Sequence, residues 1–112
     1  METRVSMKTG EQTVRIGDCS PGRLELTLDN PGIVVVSVKV TLQAAGDEEL
    51  TDVASDQFDW DFEVGRGSTR PVPEQSLILF DVPSAGVYYL SFKEIGENSP
   101  HEFSFPLTTY QP

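Results

Sequence analysis

Along most of this chain, apolar and polar residues take turns. Leu24, Leu26 and Leu28 alternate with Arg23, Glu25 and Thr27. Val34, Val36, Val38, Val40 and Leu42 then share one side of a long run, with Ser37, Lys39 and Thr41 on the other. Phe58, Trp60, Phe62 and Val64 are interleaved with Asp59, Asp61 and Glu63. Tyr88, Leu90 and Phe92 make a further set, as do Phe103, Phe105 and Leu107. Period two held over roughly four to eight residues marks a strand with one buried face, because successive side chains leave opposite sides of the pleat. Helical spacing would scatter the same residues around a cylinder.

Turn formers separate these runs: Gly17-Asp18, Ser20-Pro21-Gly22, Asn30-Pro31-Gly32, Gly65-Arg66-Gly67-Ser68, Pro83-Ser84-Ala85-Gly86 and Asn98-Ser99-Pro100. The pattern predicts strands at 12–16, 23–28, 33–42, 58–64, 76–82, 86–93 and 101–108. Segment 47–55 stays open between an eighth short strand and a helical turn begun by Asp47-Glu48-Glu49, since acids favour a helix N-terminus. Seven or eight such strands, each with one apolar face, must close over one another. The expected fold is all-β, an immunoglobulin-like antiparallel sandwich formed as a single domain over residues 1–112.

Composition removes several function classes. A chain of 112 residues with 38% hydrophobic content builds a core without disulfides or metals, and the single Cys19 has no partner for an internal bridge. The net charge of −10 opposes nucleic acid and anionic membranes alike, because both need Lys and Arg clusters. The first residues, Met1 to Val5, carry no apolar run of the signal-peptide kind. The expected setting is therefore the cytoplasm, or the outside of a cell if a leader has been trimmed. No cofactor is expected.

Candidate chemistry is sparse. The only histidine, His101, stands beside Pro100 with nothing that links it to a serine nucleophile, and an exposed loop-edge histidine is expected. Cys19 lacks the basic neighbour that would make it a reactive thiolate. Asp52, Asp56, Asp59, Asp61 and Glu63 raise the question of calcium. Three of them alternate with large apolar residues, as on the solvated face of a strand. Trp60 and Tyr88 fall on core faces, which leaves Tyr89 as the aromatic candidate for exposure. Arg66 and Arg70 flank the Gly-rich turn. No catalytic residue and no metal ligand is assigned, and an enzyme is not expected.

In order and spacing these segments resemble the chagasin-like inhibitors of cysteine peptidases, small immunoglobulin-like domains. Val14-Arg15-Ile16-Gly17-Asp18, Leu24 to Leu28 and Asn30-Pro31 resemble that family's opening strands and its Asn-Pro loop. Gly65-Arg66-Gly67-Ser68 stands where the family has a second, Gly-rich loop, and Phe80, Gly86, Leu90 and Phe92 resemble its closing strands. The resemblance implies three loops at one end of a sandwich that wedge into a papain-like peptidase. This chain runs Gly32-Ile33-Val34 after Asn30-Pro31, where the family has small hydroxyl residues, a glycine and an aromatic. It has Glu94-Ile95-Gly96-Glu97-Asn98 where the family carries Arg-Pro-Trp.

The expected function is non-catalytic protein binding through loops 29–33, 65–70 and 94–100, with Asn30, Pro31, Gly32, Gly65, Arg66, Gly67, Glu94 and Gly96 as contact residues. Inhibition of a papain-like cysteine peptidase is its most specific form. The alternative is a structural module of a surface or virion that assembles through sheet faces or edge strands. A third class is a calcium-dependent carbohydrate binder.

Overall fold

The computed structural model of this chain describes residues 2–29, 36–60, 64–65, 68–69, 75–95 and 102–112. Its strands are β1 (Glu2–Met7), β2 (Glu11–Cys19), β3 (Gly22–Asp29), β4 (Val36–Ala45), β5 (Leu50–Trp60), β6 (Val64–Gly65), β7 (Ser68–Thr69), β8 (Gln75–Val82), β9 (Gly86–Ile95) and β10 (Phe103–Tyr110). No helix occurs among the described residues. Two four-stranded antiparallel sheets, β1-β10-β3-β8 and β2-β9-β4-β5, pack as a sandwich, and β6 and β7 pair as a separate ribbon. The all-β sandwich predicted by the alternation is therefore what forms.

Its connectivity is nested. β4 pairs with β5, β3 with β8, β2 with β9 and β1 with β10, each antiparallel. The chain is thus one long hairpin turned at Gly46, with its strand pairs laid alternately into the two sheets. The pairings of β10 with β3 and of β9 with β4 complete each sheet. In the immunoglobulin order the last two strands are neighbours in one sheet. Here β9 and β10 lie in opposite sheets, and the nested order is that of a jelly roll. The difference comes from β1, a strand the turn pattern does not announce. By pairing from Glu2↔Thr108 to Met7↔Phe103, it gives β10 a place in the first sheet.

Two bulges account for the places where strict alternation fails. Ile16 is the extra residue of β2, between the pairs Arg15↔Tyr89 and Gly17↔Tyr88. It moves the inward positions from Val14 and Ile16 on to Cys19. Gly17 sits there at φ +92°, a conformation that suits glycine. Val53 is the extra residue of β5, between Leu42↔Ala54 and Gln43↔Asp52. The open segment 47–55 thus resolves into a turn and the first half of one long strand. Gly46 N–H bonds Glu49 C=O at 2.9 Å, and a Cβ on Gly46 would meet that same oxygen at 2.9 Å.

Both sheets feed one core, in which Val5, Leu26, Leu28, Val38, Val40, Leu42, Trp60, Leu90, Phe92, Phe105 and Leu107 have no solvent exposure. Phe105 on β10 is its hub. Its ring lies 5.4 Å from Trp60, 5.5 Å from Phe92, 5.9 Å from Phe58 and 6.0 Å from Phe103. Aromatic pairs of this kind, edge-to-face for Trp60, Phe92 and Phe58 and stacked for Phe103, add about 0.5–1.5 kcal/mol each beyond area burial. Tyr88 is buried as expected, and its hydroxyl donates to Ser84 C=O at 2.7 Å, bracing the arch between β8 and β9. Tyr89, on the opposite face of β9, is half-buried.

Candidate functional site

Strand register decides which connections meet. Asp29, where β3 ends, pairs with Gln75, where β8 begins. Val36, at the start of β4, pairs with Trp60, at the end of β5, and Ser37 pairs with Ile95, at the end of β9. Glu11 opens β2 opposite Lys93, and Met7 closes β1 opposite Phe103. All eight strand ends belong to one end of the sandwich. The chain therefore enters and leaves segments 30–35, 61–74 and 96–101 from that end.

The floor beneath this end is rigid, for reasons the sequence supplies. Phe58, Trp60, Phe92, Phe103 and Phe105 gather there because Phe58, Trp60 and Phe92 are inward residues near the ends of β5 and β9, and Phe103 and Phe105 are the first inward residues of β10. Trp60 is fully buried, and its Nε1–H donates to Ser76 Oγ at 2.8 Å, tying β5 of one sheet to β8 of the other. Gln75 Nε2 donates to Asp29 Oδ1 at 2.8 Å, which fixes the rim of the first sheet. Asp59 accepts from Gln57 Nε2 at 2.8 Å; hydrogen bonds from Ser37 and then Gln57 hold its carboxyl below the ordinary value of 3.8.

The candidate contact residues fare differently. Asn30, Pro31, Gly32, Arg66, Gly67 and Gly96 lie outside the described residues, as do residues 33–35 and 61–63, Arg70 and His101. Gly65 is in β6 and pairs with Ser68 of β7. Glu94 is not a loop residue. It belongs to β9, follows Tyr88, Leu90 and Phe92 on the inward face, and is only 6% exposed. Its N–H bonds Gly10 C=O at 2.8 Å, holding the connection between β1 and β2 against β9. Period two carried two residues past Phe92 finds this position, and the charge of the side chain is what disguised it.

The opposite end is closed by the chain terminus. Gln111 Oε1 accepts from Ser20 N–H at 2.9 Å, and its Nε2 donates to Ser20 C=O at 2.8 Å. A hollow of about 210 Å³ opens beside it, among Ile16, Asp18, Cys19, Leu24, Thr109, Tyr110 and Gln111. Cys19 is buried there. Desolvation, and secondarily the Asp18 carboxylate, push its thiol above the ordinary value, opposite to what a nucleophile needs. Among the described residues no group of three or more His, Cys, Asp or Glu could hold a metal ion. Among the described residues no helix is long and apolar enough to cross a membrane. No family model, no curated protein and no solved structure matches the chain.

Proposed function

We propose that this protein is a non-catalytic binding domain whose protein partner meets the end of the sandwich that carries 30–35, 61–74 and 96–101. The observation behind this reading is the convergence of eight strand ends over one aromatic floor, which brings connections distant in sequence onto one rigid support. Glu94, as an inward residue of β9, leaves the contact set; Asn30, Pro31, Gly32, Gly65, Arg66, Gly67 and Gly96 stay in it.

The most specific form of the reading is inhibition of a papain-like cysteine peptidase, on the resemblance of the segment order and the Asn30-Pro31 pair. Purified protein titrated into a panel of such enzymes then inhibits at least one at submicromolar concentration. Substituting Asn30→Ala together with Pro31→Ala weakens that inhibition at least about tenfold, as loss of an interface anchor does. A panel left fully active by micromolar protein overturns the inhibitor form.

A further inference from the structure

Sandwiches have four edge strands, and here three of them carry features that discourage another chain from pairing. β1 presents exposed Arg4, whose Nε–H donates to Ser104 Oγ at 3.1 Å. β2 carries exposed Glu11, Arg15 and Asp18 and is bent by the bulge at Ile16. β5 carries exposed Asp52, Asp56 and Asp59 and the bulge at Val53. Charges and bulges are the usual means by which proteins blunt strand edges.

β8 has no bulge and a single charge, Asp81, near its end. It is uncharged from Gln75 to Phe80, and its register with β3 runs without a break from Gly22↔Val82 to Asp29↔Gln75. Leu77 and Leu79 point away from the core and are 63% and 47% exposed. Tyr110, 59% exposed, is on the same outer face, one strand beyond the Glu25 that pairs with Leu79. Three of the four exposed large hydrophobics among the described residues thus cluster beside the one unguarded edge.

We infer that β8 is a self-association edge, which pairs antiparallel with β8 of a second copy of this chain across a two-fold axis at Ile78. A two-fold contact needs an edge complementary to itself. Centred on Ile78, Leu77 faces Leu79 of the other copy twice on the outer face, and the only charge, Asp81, faces the amide of Gln75. Centring on Leu79 or Phe80 sets Asp81 against a leucine, and centring on Asp81 sets carboxylate against carboxylate. The register centred on Ile78 is thus the one that both opposes Leu77 to Leu79 and gives Asp81 a polar partner. On β5 the same operation sets Asp52 against Phe58 and Asp56 against Ala54 when centred on Ser55, and aspartate against aspartate when centred on Ala54 or Asp56. This pairing lies on a sheet edge and does not depend on the loop-end reading above.

Sedimentation equilibrium from roughly 1 µM to 1 mM, at low and high salt, tests the pairing. The expected result is a monomer–dimer equilibrium that tightens with salt, since each copy carries −10 and salt screens their repulsion. Leu79→Lys, at an exposed position that leaves the core intact, weakens the dimer at least about tenfold by placing charge where leucines meet. Leu50→Lys, the same change at the exposed start of β5, leaves it unaltered. Mixing Leu77→Cys with Leu79→Cys yields an oxidised cross-link that neither variant forms alone, because only unlike positions face each other. A chain monomeric throughout, a dimer indifferent to Leu79→Lys, or cross-links equal in the unmixed samples each overturns the proposal.

Discussion

β5 and β8 are both edge strands, and both deliver large side chains to the same core, yet they meet solvent in opposite ways. β5 sets Asp52, Asp56 and Asp59 along its exposed length. Asp56 pairs with buried Val40, so it stands on the core-side face of its strand, where an inward charge bars extension of the sheet. With Asp47, Glu48 and Glu49 in the preceding turn, six of the 18 acidic residues fall within 47–59. β8 is almost free of charge and displays two leucines. The lesson is that a net charge of −10 is no uniform coat: it guards one edge and leaves another open.

The largest effect comes from cutting the tie between the two strands. Trp60→Ala removes the indole that contacts Phe58 at 4.7 Å and Phe105 at 5.4 Å and bonds Ser76. Chemical denaturation is expected to show a loss of about 3–5 kcal/mol, the usual cost of deleting a fully buried aromatic. A loss below about 1 kcal/mol would mean that the aromatic floor does not hold β5 and β8 together. Next comes Ser76→Ala, which leaves the buried indole N–H without its acceptor and is expected to cost about 1–3 kcal/mol. Trp60→Phe combined with Ser76→Ala should cost less than the sum of the two single changes, because each removes the same bond. Strict additivity would argue that the bond carries no coupling.

Unmasking the guarded edge is the third test. Asp56→Val with Asp59→Thr gives β5 the character of β8, and a chain with two open edges no longer closes as a dimer. Light scattering should then show growth past two copies, at concentrations where the unaltered chain stops at two. A double variant with an unchanged size distribution would show that the aspartates are not what protects β5.

Much of this contrast is visible in the sequence, and what is missing has physical causes. Alternation marks Ile78, Phe80 and Val82 as inward and Leu77 and Leu79 as outward without any structure. It breaks in β5 because the bulge at Val53 puts Val53 and Ala54 in succession, which divides one strand into two weaker signals. β1 offers only Val5 and Met7 as buried apolar positions, too short a pattern to stand out, and without it the nested order cannot be foreseen. Period two says which face of a strand is buried and nothing about its neighbours. That eight strand ends share one end of the sandwich is legible because antiparallel strands return every second connection to the same end. The charge of Glu94 sets it apart from Tyr88, Leu90 and Phe92 in the sequence, while the strand places it inward with them.

The smallest expected effect concerns the acid side of the same comparison. On β5 the Asp59 carboxyl is held low, first by Ser37 and then by Gln57, against a smaller upward push from burial. Its folded value lies below its unfolded value, so the carboxylate contributes stability above the ordinary 3.8, and that contribution is lost as pH falls through the lower folded value. Asp59 is exposed, so solvent screening keeps the contribution below about 1 kcal/mol. Asp59→Asn should therefore be slightly less stable than the unaltered chain near neutral pH, and the gap should close as pH drops below about 4. Ser37→Ala should give a smaller gap with the same pH dependence, since it removes the first of the two bonds that depress the carboxyl. β8 has no counterpart on its own length from Gln75 to Phe80, and Leu77→Ala should show no such pH dependence. A gap for Asp59→Asn that persists unchanged to acid pH would mean that its hydrogen bonds stabilise the edge equally well with the carboxyl protonated.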